Sequence, residues 1–239
     1  MSSETETVAI SGESSLSLPQ LQKRKLKTLV NHPFQVLRKY SSIAQSKLAG
    51  FPHIASEFQD RQELFRHSIS EVEPDGLFME FGVYKGASVN YVASLVPDKN
   101  VYGFDSFSGL PEDWAYGYPK GRFRLNELPK VCSNVKLVIG LFQETLEPFL
   151  KEHVGRVAFV HMDADLYSST KYVLFTLAKH NRLQRGTVIQ FDELCGYVKW
   201  WTKGEYKALL EFVKEFNAKF EYLGSAYRGK TVSLKILRI

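Results

Sequence analysis

One stretch, residues 76–88, restricts the folds open to this chain more than any other. Its sequence, GLFMEFGVYKGAS, begins with a short apolar run that is typical of a parallel strand covered on both faces. Gly82 and Gly86 follow in an E-x-G-x-x-x-G spacing, which lets the chain turn sharply and begin a helix close to the sheet. Since ligands of open α/β sheets bind outside the carboxyl ends of the strands, we expect a cofactor at this turn.

The acidic residue at position 80 indicates the kind of cofactor. Glu80 stands where a dinucleotide-binding turn has the first glycine of G-x-G-x-x-G, and a carboxylate there repels a pyrophosphate. S-Adenosylmethionine (SAM) has no phosphate and carries a sulfonium and an ammonium group, so it suits this turn better. Asp105 ends the next predicted strand, at the spacing where such sites hold ribose hydroxyls. The alternative is an ordinary strand-to-helix turn without a ligand.

The alternation of strands and helices continues along the chain and predicts a Rossmann-like, doubly wound α/β sheet of seven strands. The first five strands alternate with helices and are expected to be parallel, whereas the last two have so short a connection that they form an antiparallel hairpin. The predicted strands are 77–81, 101–107, 134–140, 156–163, 187–192, 220–227 and 231–238. The predicted helices between them are 87–96, 144–153, 168–181 and 203–218.

The α/β pattern occupies residues 74–239, and the chain before it divides into two parts. Residues 1–20 are rich in Ser, Thr and Glu and are predicted to be disordered. Residues 21–73 are predicted to form an N-terminal helical extension. Within it, residues 53–70 carry apolar side chains at helical spacing, so we expect this helix to pack beside the site or to cover it.

A long loop, residues 108–124, follows the second predicted strand. Loops of this length in compact domains are usually lids or disordered insertions. Trp114, Tyr116 and Tyr118 favour a lid with an apolar contact surface, because disordered insertions are poor in aromatic residues.

The composition excludes several classes of protein. Of the 239 residues, 44% are hydrophobic and 24% charged, no apolar run is long enough to span a bilayer, and the N-terminus has no secretory-signal pattern. Cys132 and Cys195 are too few for a disulfide framework or a zinc site, so we expect reduced thiols in a cytoplasmic protein. The net charge is +5, and the strongest basic cluster, residues 23–27, is interpreted as a solvated helix face rather than a nucleic-acid or membrane surface.

Acidic residues follow the fourth and fifth predicted strands. Asp163, Asp192 and Glu193 are expected to converge beside the cofactor crevice, because these strand ends meet there. Clustered carboxylates repel one another unless a cation or a proton is present, so a hard cation such as Mg²⁺ would stabilise them. The alternative is that they are solvated residues or helix caps, and Asp165 in particular could cap the helix that follows it. His161, inside the apolar strand, is interpreted as a core histidine rather than a base.

Four motifs together resemble the macrocin/mycinamicin/novobiocin O-methyltransferases. They are MEFGVYKG at 79–86, FDSFSGLP at 104–111, HMDADLY at 161–167 and FDE at 191–193, and the resemblance extends over about residues 50–239. These relatives are SAM-dependent enzymes that methylate sugar hydroxyls of natural products. The resemblance therefore implies a SAM-dependent O-methyltransferase domain at 74–239 that acts on a small-molecule hydroxyl, such as that of a sugar.

The resemblance also implies which residues bind the cofactor. They fall into three groups, which face the methionine end, the ribose and the adenine. These groups are Glu80, Gly82, Gly86 and Ser88 for the methionine end, Asp105 and Ser106 for the ribose, and Gly140, Leu141 and Phe142 for the adenine.

A metal and a base are implied in the same way. The metal ligands would be Asp163, Asp192 and Glu193, although many relatives have Asp-Asp where this chain has Asp-Glu. Asp165 resembles the general base, which would take the proton of the acceptor hydroxyl. A divalent metal, Mg²⁺ by preference, would bind neighbouring hydroxyls and lower the pKa of the acceptor.

Two other functions compete with this one. A dehydrogenase on the same sheet would need a glycine in place of Glu80. A SAM-binding or scaffold relative that has lost the chemistry would have no need of four acids at neighbouring strand ends. The sequence contains neither a G-x-S-x-G motif nor a P-loop, so serine hydrolases and nucleoside triphosphatases have no support. The acceptor and the formation of a homo-oligomer are left open.

Overall fold

A computed structural model describes residues 58–73, 75–114, 117–195 and 203–239. The predicted disorder of residues 1–20 and the helical extension up to residue 57 lie outside the described residues.

Seven strands and five α-helices make up the described part of the chain. The strands are β1 (Leu77–Phe81), β2 (Val101–Asp105), β3 (Val135–Ile139), β4 (Val157–Met162), β5 (Val188–Phe191), β6 (Lys219–Ala226) and β7 (Thr231–Arg238). The helices are α1 (Arg61–Ser70), α2 (Ala87–Leu95), α3 (Phe142–Glu152), α4 (Tyr167–Lys179) and α5 (Gly204–Phe216).

The strands form one sheet in the order β3-β2-β1-β4-β5-β7-β6. Strands β1 to β5 are parallel, and β7 pairs antiparallel with both β5 and β6. The predicted Rossmann-like sheet with a C-terminal antiparallel hairpin is therefore confirmed. The strand order reverses between β1 and β4, and it is at such a point that open α/β sheets bind ligands.

The sheet is buried on both faces, as its apolar strands require. All six residues of β4 are buried, which agrees with a strand that carries helices above and below it. One apolar cluster joins the sheet to α3, α4 and α5, and a second joins it to α1 and α2. The carboxyl ends of the parallel strands are thereby held at one edge of a rigid core.

Helix α1 lies on the sheet beside the strand ends. It begins at Arg61 because the side chain of Asp60 accepts a hydrogen bond from the backbone N–H of Glu63 at 2.8 Å. Phe65 is buried and meets the His161 ring edge-on, with the ring centroids 4.8 Å apart. The helix is thus shorter than the predicted segment, of which residues 53–57 lie outside the described residues.

Two local predictions need correction. Strand β2 ends at Asp105 rather than at residue 107, because Asp105 Oδ1 accepts the backbone N–H of Phe107 at 2.7 Å and turns the chain there. Helix α4 has Leu166 as its N-cap, so Asp165 is not the cap. Asp165 instead has a φ of +58°, in the left-handed region.

No helix in the described ranges has the length and apolar character needed to cross a bilayer. Cys132 is exposed and Cys195 buried, and both are free thiols.

Candidate active site

A cavity of about 410 Å³ opens at the carboxyl ends of the parallel strands. Its walls come from the turn after β1, the loop after β2, the start of α3 and the segments that follow β4 and β5. Nine of the residues predicted to form the site line it: Gly82, Asp105, Ser106, Gly140, Leu141, Phe142, Asp163, Asp165 and Glu193. The other four, Glu80, Gly86, Ser88 and Asp192, are not among the lining residues.

The glycine turn after β1 is fixed by close contact with the chain after β4. Gly82 has a φ of +97°, and its N–H donates to the carbonyl of Phe104 at 2.9 Å. A Cβ atom at Gly82 would lie 1.9 Å from the backbone oxygen of Asp163. Only glycine fits here, because the backbone conformation and the contact both exclude a side chain.

Asp105 braces this turn from β2. Its Oδ2 accepts the N–H groups of Val83 at 2.9 Å and Tyr84 at 2.8 Å, while its Oδ1 accepts that of Phe107. An ionised carboxylate offers about four acceptor positions, so these three bonds leave it room for a ribose hydroxyl. Asp105 therefore shapes the cavity wall as well as facing into it.

Glu80 is buried and belongs to a hydrogen-bonded network outside the cavity lining. Its Oε1 accepts the hydroxyl of Ser88 at 2.8 Å, and its Oε2 lies 2.9 Å from Nδ1 of His161, its register neighbour on β4. Burial alone would lower the pKa of His161, but the negative charge of Glu80 and the hydrogen bond to it raise the pKa to about 10. Nε2 lies 3.9 Å from Asp192 Oδ1, beyond hydrogen-bond distance. His161 is thus a core residue, as predicted from its strand, and its raised pKa favours the charged form.

The acid pair Asp163 and Asp192 faces a cation that the sequence did not predict. Nη1 of Arg61 lies 2.9 Å from Asp192 Oδ1 and 3.7 Å from Asp163 Oδ2. Burial opposes the ionisation of Asp192, yet His161 and Arg61 outweigh it and hold the pKa of this carboxyl well below its usual range. Burial and the charge of Asp192 raise the pKa of Asp163 to about 8. Arg61 thus contacts both carboxyl groups of the pair.

Glu193 has a different partner. Its Oε1 lies 2.7 Å from Nζ of Lys230, in the connection between β6 and β7. Burial raises the pKa of Glu193, although the ammonium group of Lys230 opposes this shift. Glu193 is thus turned toward the hairpin.

The fit of a divalent metal depends on these cations. One ligand atom each from His161, Asp163 and Asp192 lies within 4.8 Å of the others, a spacing that a metal ion could bridge. However, Arg61 contacts both aspartates, and the third predicted ligand, Glu193, is bound to Lys230. In the described arrangement the residues do not fit a divalent ion at the predicted position, because the guanidinium group and the ion would contact the same carboxylates.

Asp165, the predicted base, lines the cavity beside this cluster. Burial, together with the negative charges of Asp163, Glu193 and Asp192, raises its pKa well above the usual range. A carboxylate with a raised pKa is a stronger base than a solvated one. The chemistry of this position therefore agrees with proton transfer, while its role as the base stays a prediction.

Aromatic side chains form a further part of the cavity wall. Trp114 stacks on Tyr118 with centroids 5.5 Å apart, Tyr118 lies 5.6 Å from Phe123, and Phe123 lies 5.4 Å from Tyr84. The loop that carries three of these rings is closed by mutual hydrogen bonds of 2.8 Å between Leu110 and its partners Arg122 and Gly121. The predicted loop thus contributes an ordered aromatic wall in its described part, and residues 115 and 116 lie outside it.

Sequence reasoning missed Arg61, Lys230 and Glu205. Arg61 and Lys230 are separated from the acids in sequence and come close only through the packing of α1 and the hairpin. Glu205 stands in the first turn of α5 and is fully buried. Two of them left a signal in the sequence: Arg61 begins an amphipathic segment, and Glu205 is an acid inside an apolar helix face.

Glu205 joins the two segments that carry the acids. Its Oε1 accepts the N–H of Ala164 at 3.4 Å, and its Oε2 accepts the N–H of Glu193 at 3.1 Å. Burial and the charges of Asp163 and Asp192 raise its pKa well above the usual value. A single side chain thus holds the ends of β4 and β5 in register above the sheet.

Replacing Glu205 by alanine is expected to lower the free energy of unfolding by about 2–4 kcal/mol, because two buried N–H groups lose their acceptors. Glu205→Gln keeps an acceptor oxygen and should lose less. Glu215→Ala, at an exposed position of the same helix, is the control and should change the value by no more than about 0.5 kcal/mol. Urea unfolding measures all three, and equal values for Glu205→Ala and Glu215→Ala would contradict the bracing role.

Comparison with known protein families gives one match. Residues 79–194 match the profile of a methyltransferase domain. The matched segment runs from β1 to the segment after β5 and includes most of the cavity wall. The match supports methyl transfer, whereas the narrower macrocin/mycinamicin/novobiocin family stays a prediction.

Solved structures of two methyltransferases are similar to this chain. CalS11, a TDP-rhamnose 3'-O-methyltransferase of calicheamicin biosynthesis, is 22% identical over 86% of this chain and 95% of its own, with a TM-score of 0.54. The O-methyltransferase TomG from Streptomyces achromogenes is 16% identical over 92% and 96% of the two chains, with a TM-score of 0.48. None of the curated proteins compared with this chain matches it significantly in sequence. At these identities the likeness to CalS11 confirms the fold alone.

Proposed function

We propose that this protein transfers a methyl group from SAM to a hydroxyl group of a small molecule, by preference a sugar. The observation that carries the proposal is the cavity at the strand ends, most of whose wall belongs to the segment that matches a methyltransferase domain. CalS11, which shares the fold, is by name a sugar O-methyltransferase, and the same class of acceptor is proposed here.

The charge of the cavity favours SAM over a nucleotide with phosphates. Four carboxyl groups, those of Asp105, Asp163, Asp165 and Glu193, line it together with one ammonium group, that of Lys230, so a ligand with phosphate groups would face more acids than bases. The sulfonium and ammonium groups of SAM suit this excess of acids. Gly82 leaves the backbone of the turn open to close approach, and Asp105 retains acceptor capacity for a ribose hydroxyl.

The two walls of the cavity suit a sugar. Carboxyl groups accept hydrogen bonds from hydroxyls, and aromatic faces pack against the C–H groups of a ring. Asp165 stands among the acids on one side, and Tyr118 and Phe123 stand in the aromatic wall on the other. An acceptor between them would present a hydroxyl to the acids while its ring covers the aromatic side chains.

The reaction is an in-line displacement at the sulfonium methyl. The acceptor oxygen forms a bond to the methyl carbon as the carbon–sulfur bond breaks, and S-adenosylhomocysteine leaves as a neutral thioether. Asp165, in its ionised form, takes the hydroxyl proton. The chain contributes mainly alignment of oxygen, carbon and sulfur, and the aromatic wall keeps water from the methyl group. No step is assigned to a metal, because the acids that would hold it contact Arg61 and Lys230.

Calorimetric titration with S-adenosylhomocysteine tests the cofactor. We expect a Kd of about 1–100 μM for the unchanged protein, and a Kd about 10- to 100-fold higher for Asp105→Ala, because the turn loses its brace. Asp98→Ala, an exposed aspartate in the loop before β2, should bind like the unchanged protein. A folded protein that shows no binding would contradict the proposed function and favour a scaffold.

A further inference from the structure

Three acids at the strand ends, Asp163, Asp192 and Glu193, form ion pairs with basic side chains of the same chain. Arg61 Nη1 lies 2.9 Å from Asp192 and 3.7 Å from Asp163, and Lys230 Nζ lies 2.7 Å from Glu193. These three acids are the ones that the sequence assigns to a metal. Each therefore has a positive partner from the chain itself.

The fold places Arg61 there by several independent contacts. Arg61 is the first residue of α1, a position that the Asp60 cap fixes. Further along the helix, Phe65 packs against His161, and Ser68 Oγ donates to Gln190 Oε1 on β5 at 2.9 Å. These two contacts hold the helix on the sheet, so the ion pair of its first residue is part of the packed structure rather than a chance contact at the surface.

A guanidinium group and a divalent ion are alternatives at this position. Both would contact the carboxyl groups of Asp163 and Asp192, and two like charges this close together repel strongly in a partly buried site. Arginine stays charged at all pH values of interest, and its planar fork suits a pair of carboxylates. Arg61 is itself only partly exposed, with 29% of its side-chain surface accessible.

We infer that the guanidinium group of Arg61 is the resident cation of this site, in place of a divalent metal, and that it positions Asp163 and Asp192 at the cavity. Its consequence for catalysis rests on the proposed function: methyl transfer by this chain would need no metal ion. The ion pair also joins α1 to the strand ends, so the N-terminal helix is a part of the site.

Titration with Mn²⁺, followed by the electron paramagnetic resonance signal of the free ion, tests the inference without a substrate. The unchanged protein should bind no Mn²⁺ below about 1 mM, a range typical of weak carboxylate sites. Arg61→Ala should bind it at least about tenfold more tightly, because the competing charge is gone. Arg66→Ala is the matched control: Arg66 lies on the same helix, but it contacts Tyr91 at 2.6 Å and should leave Mn²⁺ binding unchanged.

Micromolar binding of Mn²⁺ by the unchanged protein would overturn the inference, and so would an Arg61→Ala protein that is folded and gains no binding. Circular dichroism melting checks the fold. If the alanine variant does not fold, Arg61→Gln takes its place, because it removes the charge and keeps much of the side-chain volume. The same gain in Mn²⁺ binding is expected for it. Arg61→Lys retains the charge and should still exclude Mn²⁺.

The same samples separate this inference from the proposed function. S-Adenosylhomocysteine binding to the unchanged protein should be insensitive to EDTA. A failure to bind S-adenosylhomocysteine would contradict methyl transfer, whereas the Mn²⁺ titrations would still decide the role of Arg61. A loss of cofactor binding on addition of EDTA would count against Arg61 as the resident cation.

Discussion

Alanine in place of Gly82 is expected to lower the free energy of unfolding by about 3–5 kcal/mol and to abolish cofactor binding. The new Cβ atom would lie 1.9 Å from the backbone oxygen of Asp163, and the residue would be held at a φ of +97°. The obstacle is backbone rather than a flexible side chain, so either β1 or the end of β4 must move. Both segments carry walls of the cavity.

Gly121→Ala separates the two causes. Gly121 has a φ of +82°, close to that of Gly82, but a Cβ atom there meets nothing within 4 Å. Its substitution should cost only the backbone strain, about 1–2 kcal/mol. Urea unfolding and titration with S-adenosylhomocysteine measure both variants. If both variants lost the same free energy of unfolding, backbone strain alone would explain the effect of Gly82→Ala. The close contact with Asp163 would then have no energetic role.

Asparagine in place of Asp165 is expected to lower the turnover rate by about 10²- to 10⁴-fold, the usual contribution of a general base. An amide cannot take the hydroxyl proton, although it has nearly the size and shape of the carboxyl group. S-Adenosylhomocysteine should bind as before, because Asp165 is not assigned to the cofactor. The measurement is transfer of the labelled methyl group of SAM to the best acceptor from a panel of glycosides and nucleotide sugars.

Asp113→Asn is the control for this variant. Asp113 lies in the aromatic loop, and its Oδ1 accepts the N–H of Lys120 at 2.7 Å, a bond that an asparagine oxygen retains. Its turnover should stay within about twofold of the unchanged enzyme, as for other surface substitutions. Normal turnover by Asp165→Asn would show that Asp165 is not the general base. The other acids of the cavity would then be tested in the same way.

The sequence predicted the fold through features that act over short distances. Apolar runs with glycine turns between them determine where strands stop and helices begin, and a connection as short as that between β6 and β7 leaves only an antiparallel pairing. Strand ends were misplaced by one or two residues, as at Asp105, where a side chain bonded to the backbone turns the chain. Such a bond leaves no mark in the pattern of apolar residues.

Part of the site was also accessible from the sequence. Gly82, Asp105 and Asp165 each lie at the end of a parallel strand, and the topology of the sheet brings these ends to one cavity. The sequence did not show that the side chain of Glu80 lies outside the cavity lining. Its place in a buried network with Ser88 and His161 depends on the register between β1 and β4.

Only the tertiary structure decided which charges meet. The sequence by itself determined the sheet, the glycine turn and the row of acids, because each follows from local periodicity or from the end of a strand. Arg61 lies more than a hundred residues before Asp192, and their ion pair exists only because α1 docks through Phe65 and Ser68 onto the same sheet face. A charge acts through space rather than along the chain, so whether an acid cluster meets a metal or an arginine is settled by packing.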